Sequence, residues 1–229
     1  MSHNCLDRHL KTRSDKTAII WESPIAKKTE KITYGELHSR VSRFAGALNK
    51  LGLKKGERAI IYMPMIPEAA IAMLGCARVG VIHSVVFGGF AAEELRNRIV
   101  DSKAKVVITA TCSLLPGKVL KFLPIVRKAL GSLQIPTVIV NREQHQLNAT
   151  DLNENEHFYD TLMAKSEEVE AEKLNSNHPL YILYTSGTTG KPKGVCRDTG
   201  GTMVALMLSM QLGFGFSKDS VMFATSDIG

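Results

Sequence analysis

No run of apolar residues in this chain reaches the ~20 that a helix needs to cross a bilayer. None of its four cysteines, Cys5, Cys76, Cys112 and Cys196, belongs to a CxxC pair. The first absence excludes a helical membrane span. The second argues against structural zinc and thioredoxin-like chemistry, and no metal site is assigned. The opening residues lack the apolar core of a secretory signal and are too few and too acidic for a transit peptide. A reducing intracellular compartment is expected, cytoplasm or mitochondrial matrix, where the Asn148-Ala-Thr150 sequon carries no weight. Basic residues outnumber acidic ones, 29 to 22, for a net charge of +7. They are scattered, and aromatics, only 6% of the chain, do not interleave with them. Nucleic acid is therefore not the expected partner. Internal repeats, low-complexity segments, a carboxylate pair and a Ser-His-Asp arrangement are absent too.

What is present suits an ordinary globular protein: 229 residues, 44% hydrophobic and 22% charged. Residues 17–21 and 31–33 read as short strands. Thr33 and Glu36 have the spacing of a capping box. Tyr34, Leu37, Val41, Phe44, Ala45, Leu48 and Leu51 then recur at helical spacing, and Gly52 ends the run. From residue 58 to 140 strands and helices alternate: strands at 58–62, 81–87, 105–109 and 137–140, helices at 68–78, 91–100 and 119–130. The strands are Val/Ile-rich rather than alternating, as in a parallel sheet buried on both faces.

Residues 141–177 are more polar and read as a surface connector with one or two helices. Residues 178–229 open a second half, with strands at 180–184 and 195–197, a helix at 202–212 and a last strand at 221–225. The fold class is α/β, a parallel sheet flanked by helices, with a glycine-rich phosphate loop in the second half. A sequence that stops one step after a strand predicts a domain that is cut, exposing apolar surface.

The densest chemistry lies in residues 184–194, Tyr-Thr-Ser-Gly-Thr-Thr-Gly-Lys-Pro-Lys-Gly. Glycines admit backbone close to a ligand, and successive backbone N–H groups make a concave anion site. Thr185, Ser186, Thr188 and Thr189 are hydroxyl donors, Gly187 and Gly190 allow close approach, and Lys191 and Lys193 neutralise charge. The spacing is not that of a Walker A loop, because Gly187 and Gly190 are too close and Pro192 follows Lys191. Elsewhere the plainer readings win. His83 reads as a satisfied core or sheet-end histidine rather than a general base. Met203, Met207 and Met210 read as packing on one helix face. Arg78, Arg96 and Arg98 read as helix-surface residues rather than ligands, and Arg197 and Asp198, just past the loop, as two residues either of which is placed to orient it.

Residues 184–194 resemble the signature of adenylate-forming enzymes: acyl-CoA synthetases, peptide-synthetase adenylation domains and luciferases. Ile61-Tyr-Met-Pro-Met-Ile-Pro-Glu68, Cys76-Ala-Arg-Val-Gly80, His83-Ser-Val-Val-Phe-Gly-Gly-Phe90 and His178-Pro-Leu-Tyr-Ile-Leu-Tyr184 narrow the resemblance to short-chain acyl-CoA synthetases. Arg197-Asp-Thr-Gly-Gly201 and Ser226-Asp-Ile-Gly229 fit the same subgroup. Acetate enzymes typically carry Arg-Gly-Gly-Lys in a segment that helps hold coenzyme A. Here the matching residues are Leu115-Pro-Gly-Lys118, closer to propionate–CoA ligases, and only Gly117 and Lys118 carry over.

The resemblance implies a partial large N-terminal domain of an adenylate-forming enzyme, without the C-terminal lid domain and without the family's N-terminal extension. It implies that a carboxylate, propionate or alternatively acetate, attacks Mg-ATP to give acyl-AMP and pyrophosphate. Coenzyme A then displaces AMP. Thr185 to Lys193 would hold the departing phosphates, with Lys193 assigned to catalysis. The family's adenine, ribose and Mg2+ segments lie downstream of residue 229. This chain alone is therefore expected to be inactive. A non-catalytic nucleotide-binding fragment is the alternative from another class.

Overall fold

The computed structural model describes residues 1–185 and 192–228. Two short helices, α1 (Ser2–Cys5) and α2 (Leu10–Arg13), lead into an antiparallel hairpin of β1 (Thr17–Ser23) and β2 (Lys28–Thr33). The expected capping box opens α3 (Tyr34–Lys50). Glu36 N donates to Thr33 Oγ1 at 3.2 Å, and Thr33 N donates to Glu36 Oε2 at 2.8 Å. Leu37, Val41, Phe44, Ala45 and Leu48 are all buried, as their spacing predicts. The chain reverses at Gly52, whose φ of +86° suits glycine.

The expected alternation follows: β3 (Arg58–Tyr62), α4 (Pro67–Arg78), β4 (Ile82–Val85), α5 (Ala92–Ser102) and β5 (Val106–Ala110). The helix read over 119–130 is not continuous. Instead β6 (Cys112–Leu115) and β7 (Lys118–Lys121) form a hairpin, and α6 (Leu123–Leu130) begins after it. Pro116-Gly117 makes the turn, with Gly117 at φ +68°. Pro124 sits in the first turn of α6, where its missing N–H costs nothing.

After β8 (Thr137–Val140), the polar connector contributes a strand, β9 (Glu156–Phe158), and a helix, α7 (Tyr159–Ala164). Polarity hid β9, because the Glu156 carboxylate is paired with Arg127 at 2.9 and 2.7 Å. The segment then crosses α3 and α4, where Ser42 Oγ and Arg78 Nε both donate to Val169 O at 2.7 Å. It leads into β10 (Pro179–Thr185), β11 (Lys193–Asp198) and α8 (Thr199–Leu208). α8 starts three residues before the expected 202, because Asp198 Oδ1 caps it by accepting from Gly201 N at 2.6 Å. Residues 221–225 form no strand: Val221 and Phe223 are exposed and have no sheet neighbour to pair with.

The main sheet has the order β11-β10-β4-β3-β5-β8-β9, parallel except for β11. β10 pairs with β4 at Tyr181 and His83, so residues 178 onward continue the sheet of the first half. Alternate residues of β3 feed two cores. Ala59 and Ile61 pack with Val41, Phe44 and Ile71 on one face. Ile60 and Tyr62 pack with Leu95, Ile99 and Val126 on the other. Each such fully buried Val, Ile or Leu contributes about 1.5–3 kcal/mol. From β3 the chain moves to β4 on one side, then to β5 on the other. The carboxyl ends of β3 and β5 therefore flank a topological switch point, where open α/β sheets bind ligands.

Candidate functional site

Two pieces of the molecule carry the candidate residues. The first is the β10–β11 hairpin. Thr185 and Lys193 are cross-strand partners at its open end, both exposed, with Tyr184 opposite Gly194 one step inward. Ser186, Gly187, Thr188, Thr189, Gly190 and Lys191 lie outside the described residues. The Tyr184 ring covers Gly194 so closely that a Cβ there would sit 3.2 Å from Tyr184 Cε1. Tyr184 Oη donates to Asp101 Oδ2 at 2.6 Å. Burial first, and the Asp101 carboxylate second, push the Tyr184 hydroxyl pKa up. The C-terminal part of β10 is thus anchored to α5.

The second piece is a cavity of about 380 Å³ at the switch point. Met63, Met65, Phe87, Gly88, Leu115 and Phe122 line it, so its wall is largely apolar. Asp227 reaches it too, bringing the Ser226-Asp-Ile segment beside the Phe87-Gly-Gly89 segment. Trp21 Nε1 donates to Met65 O at 2.8 Å and holds the β1–β2 hairpin against the rim. Tyr62 Oη lies 2.8 Å from Phe90 O and 3.1 Å from Gly88 O, which pins the glycine turn from below. At Gly88 a Cβ would come within 2.8 Å of Phe122 Cζ, so no larger residue fits unchanged. Gly117 and Lys118 stand exposed at the tip of the β6–β7 hairpin, next to the cavity residue Leu115.

The comparisons with known proteins agree with this architecture. The profile described as AMP-binding enzyme matches residues 6–229. The chain belongs to the AMP-binding enzyme family. An acetyl-coenzyme A synthetase of Magnetococcus marinus is 42% identical over 233 residues, covering 100% of this chain and 36% of that protein. One from Pasteurella multocida is 45% identical over 236 residues, covering 100% and 35%. Among solved structures, acetoacetyl-CoA synthetase from Streptomyces lividans superposes with a TM-score of 0.83 at 26% identity, over 94% of this chain and 33% of that one. The chain thus spans about a third of the length of these relatives.

Several residues of this AMP-binding chain sit differently from their sequence reading. Arg78 and Arg98 are not surface residues but 1% and 6% exposed. Arg98 occupies the inward stripe Leu95-Arg98-Ile99-Ser102 of α5, a periodic signal that was available. Arg96 spans to α6, donating to Ala129 O at 2.8 Å and Leu130 O at 3.0 Å. Met207 is exposed rather than packed. Asp198 caps α8, and the loop it was expected to orient lies largely outside the described residues. His83 is buried in the sheet as expected and stacked 5.9 Å from Tyr181, but it is not the fully satisfied histidine that was expected. Its pKa is lowered to about 4 by burial, and its Nδ1 has no hydrogen-bond partner among the described residues. The described residues contain no cluster of three or more His, Cys, Asp or Glu side chains suited to a metal. No described helix is long and apolar enough to cross a membrane.

Proposed function

We propose that this chain belongs to an AMP-forming short-chain acyl-CoA synthetase and supplies its pyrophosphate-side loop and part of its coenzyme A side. The observation that carries the reading is the pairing of Thr185 with Lys193 at the mouth of the glycine-rich loop, in a chain whose full length aligns with acetyl-coenzyme A synthetases.

The chemistry is a substitution at phosphorus followed by one at carbon. A carboxylate oxygen bonds to the α-phosphorus of ATP, and the bond from that phosphorus to the β-bridging oxygen breaks, releasing pyrophosphate. The thiolate of coenzyme A then attacks the acyl carbon, and AMP leaves with the electron pair. In the first step negative charge grows on the departing pyrophosphate. The Lys193 ammonium and the Thr185 hydroxyl are the described groups that offset it, and Ser186, Gly187, Thr188, Thr189, Gly190 and Lys191 are assigned to the same task on their residue types alone. Mg2+ enters with the polyphosphate and neutralises its charge; such ions are typically held by few protein carboxylates and mostly by phosphate and water. In the second step Gly117 and Lys118 flank the coenzyme, and the apolar cavity beside Leu115 excludes water from the thioester-forming side.

Two acids fit this reading. Leu115-Pro-Gly-Lys118 favours propionate. The naming of the relatives as acetyl-coenzyme A synthetases favours acetate. The compartment proposed is the cytoplasm, and no comparison favours the mitochondrial matrix. Pyrophosphate release, measured with each acid on this sequence continued to the length of its relatives, decides between the acids. A higher kcat/KM with propionate supports the first choice, and equal or better acetate use replaces it. Release with neither acid would leave the non-catalytic nucleotide-binding reading.

A further inference from the structure

Arg98 stands between the two pieces of the site. Its Cζ lies 4.5 Å from the centroid of the Phe90 ring and 5.5 Å from that of Tyr184. Phe90 closes the Phe87-Gly-Gly89 turn that lines the switch-point cavity. Tyr184 is the base of the phosphate loop. Arg98 Nη1 donates to the backbone O of Glu94 at 2.8 Å and to Glu94 Oε2 at 2.7 Å, so the buried cation is neutralised on its own helix. Asp101, one turn further along α5, receives the Tyr184 hydroxyl. One face of α5 therefore holds both the ring and the hydroxyl of Tyr184, and it holds Phe90 through the same guanidinium.

A buried guanidinium loses much by giving up its partners, and each ring face attracts it electrostatically. It cannot follow one ring without weakening its contact with the other. An anion arriving at Thr185 and Lys193 changes the field and the packing at Tyr184, the neighbouring residue. Arg98 is the direct path from there to Phe90.

We propose that Arg98 is a positioning residue that ties the base of the phosphate loop at Tyr184 to the Phe87–Phe90 turn of the cavity, so that polyphosphate bound at the loop is registered at Gly88 and Gly89. The inference rests on the phosphate reading of the loop, and the test separates the two. The 229-residue chain, labelled with 15N-glycine, is titrated with magnesium pyrophosphate and followed by amide NMR. Gly194 reports the loop, and Gly88 and Gly89 report the cavity. The expected result is that all three shift with one shared Kd. In Arg98→Met the Gly194 shift persists while those of Gly88 and Gly89 shrink by about fivefold or more. Arg98→Lys, which keeps a cation, restores part of them. Where Arg98→Met fails to fold, Phe90→Leu removes one ring, keeps the Arg98–Glu94 pair and is expected to give the same loss. A silent Gly194 would overturn the phosphate reading and the proposal with it. A responsive Gly194 with silent Gly88 and Gly89, or undiminished Gly88 and Gly89 shifts in both variants, would overturn the proposal alone.

Discussion

Arg78 grips both carboxylate oxygens of Asp7, Nη1 to Oδ2 at 2.8 Å and Nη2 to Oδ1 at 2.9 Å. The guanidinium is 1% exposed, and its Nε also donates to Val169 O at 2.7 Å. A single side chain of α4 thus joins the N-terminal helices to the segment that returns toward β10. A charge this deep persists only because it is paired.

Removing the pair has a predictable cost. Asp7→Asn leaves Arg78 buried without its carboxylate and should lower stability by about 3 kcal/mol in denaturant melts. Burial opposes ionisation of Asp7, but the hydrogen bond and charge of Arg78 more than offset it and hold its pKa at about 2. The folded value lies below the unfolded one of about 3.9. This contribution is therefore complete above about pH 4 and is lost as pH falls toward about 2. The native chain should weaken across that window more steeply than Asp7→Asn. Parallel curves for the two proteins would contradict the assignment.

Gly88 makes the second prediction. An added Cβ meets Phe122, which is itself 1% exposed and stacked 4.7 Å from Tyr62, so it has little room to yield. Gly88→Ala should destabilise by about 1–3 kcal/mol through overpacking. Gly117→Ala offers a contrast, since nothing lies near its Cβ and only its φ of +68° is strained. Its effect should be confined to the β6–β7 turn, visible as local amide exchange rather than a shift of the Phe122 core.

Lys193 supplies the third. It is exposed on β11, so Lys193→Ala should change stability by no more than about 0.5 kcal/mol. Loss of one group that stabilises transition-state charge slows reactions by about 100-fold or more. In the sequence continued to the length of its relatives, acyl-AMP formation should therefore fall by that factor while the melt is unchanged. An unchanged rate would remove Lys193 from catalysis.

The parts of the fold legible in the sequence were those governed by local pattern. Leu37, Val41, Phe44 and Leu48 mark α3 by spacing alone. Val106-Val-Ile108 marks a strand buried on both faces. The strands expected at residues 180–184 and 195–197, on either side of the glycine- and hydroxyl-rich run, were legible from their apolar composition and lie within β10 and β11. What escaped depends on partners distant in the chain. Arg78 looked like a surface residue because Asp7 lies 71 positions away. Glu156 concealed β9 because its charge is cancelled by Arg127, 29 positions earlier. Residues 118–121 have helical propensity, but the Pro116-Gly117 turn folds them onto Cys112–Leu115. Val221 and Phe223 looked like a strand by composition, yet a strand needs a neighbour to pair with. Arg98 escaped because the contacts that make it part of the site, Phe90 and Tyr184, come together only when β10 joins β4.

The most direct measurement is isotope exchange between pyrophosphate and ATP, run on the sequence at the length of its relatives with and without acid and with coenzyme A omitted. Adenylation followed by thioester formation predicts exchange that requires propionate or acetate and proceeds without coenzyme A. Exchange that ignores the acid, or formation of ADP and phosphate in place of AMP and pyrophosphate, would contradict it.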